Sequence, residues 1–139
     1  MGTKTRDPSK QRRRLYTADS FHRSKMMSAR LSKDLREKYK VKKMPVRTGD
    51  VVYITTGDFT GTEGKVLSVD TKKRRLGIDG IAREKADKSK VMYKIDPSKV
   101  VIRRFGKVDR SRKKILERRA KMELEIDEED ISAVAEEEE

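Results

Sequence analysis

Three glycines, Gly57, Gly61 and Gly64, stand between two apolar runs, Val51 to Ile54 and Val66 to Val69. Glycine admits positive φ and close backbone approach, so this spacing marks a tight, shaped loop between two strands. Phe59 sits at its tip, and Lys65 follows the last glycine. Such a loop offers backbone and an aromatic ring to a partner; the plain alternative is an ordinary hairpin connection. A second group of residues precedes it. Lys10, Arg12, Arg13, Arg14, Arg23, Lys25, Arg30, Lys33, Arg36, Lys43 and Arg47 form a basic run with His22 embedded in it. Arginine presents a planar fork of donors matched to phosphate oxygens, and lysine a mobile point charge. A third group, Lys72, Lys73, Arg74 and Arg75, occupies an expected strand-to-strand turn. Read on its own it is a solvated hairpin tip; beside the basic run it becomes a phosphate contact.

Other chemistries are poorly supplied. The chain has 139 residues and no Cys, which removes disulfides and thiolate chemistry. His22 is the only histidine, so a histidine metal cluster and a Ser-His-Asp triad are both excluded. As a lone imidazole it is a stacking or hydrogen-bonding residue, alongside Tyr16, Phe21 and Phe59, each of which could instead pack on the protein. Asp50, Asp58, Glu63 and Asp70 lie near turns, but no spacing brings two of them together as an acid/base pair. No run approaches the ~18 unbroken apolar residues of a transmembrane helix. Neither expected helix has the broad apolar face of a membrane-surface segment. No secretory leader opens the chain, which makes the cytosol its expected compartment.

The charge is unevenly placed. The net charge is +13, with 44% charged residues. Residues 1–47 carry net +12, residues 48–105 net +5, residues 106–122 net +6 and residues 123–139 net −10. A basic excess of this size points to a polyanion, most often nucleic acid. Two basic arms around one small domain favour that over a solvated surface, a solubilising tail or a nuclear-localisation segment. Asn is absent and Gln11 is the only Gln, a depletion associated with hot-growing hosts.

The elements that must position these groups follow from periodicity. Residues 1–17 have little apolar content and read as an extended arm. Ser20 is a cap for a short helix over Phe21 to Met27. Ser32 caps a second helix, with Asp34 in the first turn and Leu31, Leu35 and Tyr39 in one apolar stripe. Pro45 ends the helical reading. Val51 to Ile54, Val66 to Val69, Leu76 and Ile78, Val91 to Ile95, and Val100 to Ile102 then give about five short strands, as a small closed or nearly closed β-barrel requires. After Gly106 a helix over Arg112 to Leu124, capped by Asp109 or Ser111, carries Arg112 and Lys113. It has only a partial apolar face and needs a surface to lie on.

Gly49 through Val69 resembles a KOW motif, the strand–loop–strand unit of ribosomal proteins and transcription elongation factors. Leu31 to Tyr39, Ile95 to Val100 and Lys113 to Arg118 are similar, in the same order, to the archaeal and eukaryotic branch of the ribosomal large-subunit protein L twenty-four, called L twenty-six in eukaryotic naming. The resemblance runs from about Arg12 to about Met122. It implies a mostly β fold, an SH3-like barrel, with large-subunit rRNA and neighbouring ribosomal proteins as partners. It also implies a seat near the peptide exit tunnel, in the cytoplasmic ribosome, with no enzyme activity, cofactor or small-molecule substrate. Thr60 stands where relatives often carry Lys, and Ala86 to Ser89 lacks the glycine common in that turn. The Gly61-x-x-Gly64 spacing also fits the phosphate clamp of KH domains, but that loop joins helices, whereas strands flank these glycines.

The expected organisation is therefore a basic arm with short helices over 1–47, a barrel over 48–105, a basic helix over 106–122 and an acidic, disordered tail over 123–139. RNA contacts are expected from the arm, from Phe59, Gly61 and Lys65 in and beside the loop, from Lys72 to Arg75, from Arg103 and Arg104 on the last strand, and from Arg112 and Lys113. The rival is a KOW-type transcription elongation factor. Relatives of that kind carry an α/β domain before the KOW unit, and residues 1–47 leave no room for one.

Overall fold

The computed structural model describes residues 5–120. In chain order they form α1 (Pro8–Thr17), α2 (Ser20–Met26), β1 (Ser28–Leu31), α3 (Lys33–Tyr39), β2 (Lys43–Pro45), β3 (Val51–Ile54), β4 (Glu63–Asp70), β5 (Arg75–Glu84), β6 (Lys90–Ile95), a 3-10 turn (Pro97–Lys99), β7 (Val100–Arg104) and α4 (Arg110–Ala120). The strands make one seven-stranded sheet in the order β2-β1-β7-β3-β4-β5-β6. β1 and β7 pair parallel and every other neighbour pairs antiparallel. The sheet is mixed and does not close, with β2 and β6 at its edges, and is consistent with a small SH3-like barrel.

The five strands expected from the β-branched runs are β3 to β7. They contribute Val52, Ile54, Val66, Leu76, Ile78, Ile95, Val100 and Ile102 to the core. Two further strands come from the basic arm. Met27, Ala29, Leu31, Leu35, Tyr39 and Met44 are buried in the same core. The arm is thus divided: residues up to about 26 lie outside the core, and those from Met27 onward belong to it. Leu31, Leu35 and Tyr39 do form the buried stripe their spacing indicates. The Tyr39 ring packs 5.6 Å from that of Phe105.

Caps set the helix starts. Ser32 accepts from the Leu35 amide at 3.4 Å and opens α3, as its type and position predict. Asp109 accepts from the Arg112 amide at 2.9 Å and opens α4. For α2 the cap is Asp19, one residue before the expected Ser20. The extended reading of residues 1–17 is corrected by α1. Asp7 accepts from Ser9 N, and Pro8 occupies the first helical position, where its missing N–H costs nothing. The turn from β5 to β6 manages without glycine because Lys88 takes the left-handed conformation, at φ +62°. Asp87 accepts there from both the amide and the hydroxyl of Ser89.

Candidate nucleic-acid interface

α1 presents Lys10, Arg12, Arg13 and Arg14 to solvent and buries no residue. Among the described residues no carboxylate pairs with any of the four. Half-buried Arg23 in α2 donates to the Tyr16 carbonyl at 3.2 Å and ties α2 to the end of α1. His22 is exposed, and its Nδ1 pairs with the Asp19 carboxylate. The His22 amide, then its ring, hold the Asp19 carboxyl below its ordinary value. Tyr16 and Phe21 are 69% and 63% exposed, so two aromatic rings stand among the cations. Lys25 lies 4.1 Å from the centroid of the Phe21 ring. Positive side chains with exposed rings between them match phosphates and unstacked bases respectively.

The three glycines turn out to serve two purposes. Gly57 and Gly61 hold φ of +106° and +90°, which a β-branched residue adopts only under strain. Gly64 instead allows close approach, since a Cβ there would lie 2.7 Å from the Asp79 carbonyl oxygen and from the Ile78 side chain. The loop is closed by Gly61 N donating to Ile54 O at 3.0 Å and by Thr60 N donating to Gly57 O at 3.2 Å. Phe59 departs from expectation. It is half-buried against the core, with its ring 5.4 Å from that of Tyr93, so it supports the loop rather than reaching outward. Residues 56–59 line a cleft of about 120 Å³ together with Arg75, Lys94 and Lys99. Asp96 also lines it. Burial raises the Asp96 carboxyl, but the Ser98 amide and hydroxyl and the charges of Arg75 and Arg74 outweigh that and lower it overall.

Lys72 to Arg74 occupy the β4–β5 hairpin turn and Arg75 opens β5, with Arg74 left-handed at φ +53°. The turn is held by Asp70, which accepts from Lys73 N at 3.0 Å and pairs with Lys94 Nζ at 3.3 Å. Lys72, Lys73 and Arg75 are exposed and Arg74 is half-buried. Arg30, Lys33, Lys43, Lys65, Arg104 and Lys113 are exposed as well. Others are partly engaged. Arg36 Nε donates to Leu31 O at 2.7 Å. Arg47 pairs with Asp109 and donates to Ser111 Oγ. Arg103 pairs with Glu63 at 3.3 Å and covers the Tyr53 ring.

Arg112 is corrected outright. It is 1% exposed and donates through both terminal nitrogens to Asp50, at 2.7 Å each, so it is not available to RNA. Asp50 is fully buried and also accepts from Gly106 N at 2.8 Å and Arg47 N at 2.9 Å. The guanidinium rests 4.4 Å over the Phe105 ring. Gly106 has no room for a side chain: a Cβ would lie 2.6 Å from Gly49 backbone atoms. This pair and the buried Leu116 fasten α4 to the sheet. Residue type and spacing did not single out Lys94, Lys99, Lys114 and Arg118, which are among the further exposed cations. Alternation along β6 could have placed Lys94 beside the hairpin tip. Lys99 needed the tertiary bond from Thr55 N to its carbonyl, 2.9 Å, to come near the loop.

The described residues thus define a small β-sheet protein with exposed cations on its terminal helices, at the β4–β5 hairpin tip and beside the glycine loop, a surface suited to a polyanion. Residues 5–119 match the family of ribosomal proteins described as L26 in eukaryotes and as the L24 type in archaea, and the chain belongs to that family. It is 48% identical over 129 residues to the large ribosomal subunit protein uL24 of Korarchaeum cryptofilum, covering 93% of this chain and 98% of the relative. It is 46% identical over 114 residues to uL24 of Pyrobaculum islandicum, covering 82% and 93%. The match is to a family of ribosomal structural proteins over residues 5–119, which decides against the elongation-factor alternative. Among the described residues no helix is long and apolar enough to cross a membrane.

Proposed function

We propose that this chain is a structural constituent of the large subunit of the cytoplasmic ribosome and binds its rRNA near the peptide exit tunnel, beside neighbouring ribosomal proteins, where it supports assembly. The observation that carries the reading is α1. Among the described residues, this helix with three consecutive exposed arginines buries no side chain, and a phosphate backbone supplies the counter-charge it lacks. The sheet acts as a rigid platform. The glycine loop, with Arg75, Lys94 and Lys99 beside it, lays backbone and charge against a second stretch of RNA. Contacts go mostly to phosphate and sugar, because the deep major groove of A-form RNA hides base edges. The protein contributes charge neutralisation where RNA segments converge.

The test is binding to large-subunit rRNA across a salt series. With on the order of six phosphates neutralised, affinity falls by about 10³ or more between roughly 50 and 200 mM salt. In a high-magnesium lysate the chain should also sediment with the large subunit. A flat salt profile, or sedimentation apart from ribosomes, would contradict the reading.

A further inference from the structure

A groove of about 670 Å³ runs between α2, the chain entering β3, and α4. Phe21, Val46 and Ile115 give it an apolar floor, and Lys25, Lys114 and Arg118 give it a cationic rim. No carboxylate lines it, and among the described residues none pairs with these three cations. Phe21, at 63% exposure, is held in place by Lys25 rather than by the core. A groove of this make-up fits a segment that alternates aliphatic and acidic side chains.

The chain itself carries such a segment. Residues 123–139 hold ten carboxylates and no cation, with Leu124, Ile126, Ile131 and Val134 spaced among them. They follow α4, whose Lys114, Ile115 and Arg118 form one wall of the groove. Eleven extended residues beyond Ala120 reach about 36 Å, whereas the eleven residues of α4 span only about 16 Å. The segment therefore has ample length to turn back along the helix.

We propose that residues 123–139 dock in this groove when the protein is free of RNA, with aliphatic side chains on the Phe21–Val46–Ile115 floor and carboxylates on Lys25, Lys114 and Arg118. The docked segment masks part of the cationic surface and competes with RNA for it, so that weakly binding RNAs are refused while the cognate site displaces it. The masking half rests on the RNA-binding reading; the docking half does not. A tether of this length gives roughly millimolar effective concentration. An intrinsic affinity near 100 μM then keeps the groove about 90% filled, and its loss tightens binding to unrelated RNA about tenfold.

The experiment starts without RNA. Amide NMR spectra are compared for the full chain and a full-length variant with Leu124→Ser, Ile126→Ser, Ile131→Ser and Val134→Ser, which leaves the charge unchanged. Shifts concentrated at Phe21, Lys25, Ile115 and Arg118 are expected. A peptide of residues 123–139, added in excess to the serine variant, should restore the original spectrum, while the serine-substituted peptide should not. No shift at these residues would overturn docking, as would shifts spread equally over α1 and the Lys72–Arg75 turn, or equal action of both peptides. Binding to unrelated RNA should then tighten about tenfold in the serine variant; unchanged affinity would overturn masking. RNA crosslinks in the groove with no tail-dependent shift would assign it to RNA instead. Failure of every variant to bind rRNA would remove the proposed function and leave the RNA-free result standing.

Discussion

α1 and α4 are built from nearly the same side chains and do different work. α1 has four cations in ten residues and α4 has six in eleven. In α1 all of them face water. In α4 the guanidinium of Arg112 is taken out of water onto Asp50, and Leu116 enters the core one turn later. The difference lies outside both helices: a single aspartate at the start of β3, already fixed by the amides of Arg47 and Gly106, turns one arginine of a basic helix into a structural bolt. Cation density alone therefore does not tell which cations are free to meet a polyanion and which are structural.

The largest expected effect is on the bolt. Asp50→Ala leaves the buried Arg112 without its counter-charge, with only the Pro45 carbonyl among the described residues still accepting from it, and should cost about 3–5 kcal/mol of stability in denaturant unfolding. Replacing both members, Asp50→Ala with Arg112→Met, should recover a large part of that loss. Equal stability of Asp50→Ala and the unsubstituted chain would show that α4 is not fastened there.

The loop should respond next, and in another manner. Gly61 holds φ +90° with open space around its Cα, so Gly61→Val meets no neighbour but strains the backbone by about 1–3 kcal/mol. Affinity for the cognate rRNA should fall while the slope of log K against log salt stays fixed, because no charge has changed. Binding like that of the unsubstituted chain would reduce the loop to a plain hairpin turn.

A smaller effect separates the start of α4 from its buried bolt. The Asp109 carboxyl is held below its ordinary 3.8, first by accepting the Arg112 amide and then by the Arg47 guanidinium. A depressed folded-state value means that its stabilising share is complete above the ordinary value and is lost as pH falls through the lowered one. Amide exchange at Arg112 and Lys113 should be free of any Asp109 contribution to its pH dependence between about pH 7 and 5, and local protection should drop below about pH 4. Asp109→Ala should cost about 0.5–2 kcal/mol and abolish that acid limb.

Much of this architecture was legible in the sequence, and what was not has specific causes. β3 to β7 announce themselves because runs rich in β-branched residues are separated by turn residues, the glycines of the β3–β4 loop and Pro97 before β7 among them, and Ser32 with Leu35 and Tyr39 fixes α3. β1 is Ser-Ala-Arg-Leu and β2 is Lys-Met-Pro, without a β-branched residue between them. They become strands only because β7, about seventy residues along the chain from β1, offers a partner. α1 was hidden by its lack of apolar periodicity, although Asp7-Pro8 is a start signal. The Asp50–Arg112 pair spans 62 residues, and no local pattern marks it. At the candidate interface the arm, the left-handed Gly61 and the hairpin tip were readable from residue type. Phe59 turning inward and Lys99 joining the loop depend on tertiary contacts alone.

The most direct test of the division between binding arm and structural helix is the salt slope of rRNA binding for the chain carrying Arg12→Ala, Arg13→Ala and Arg14→Ala. These side chains touch nothing buried, so the melting curve should stay within about 0.5 kcal/mol per site of the unsubstituted chain. If each arginine neutralises one phosphate, the slope should lose roughly 2–3 units, and cognate and unrelated RNAs should weaken alike. An unchanged slope, or a loss of affinity that follows a loss of stability, would contradict the account.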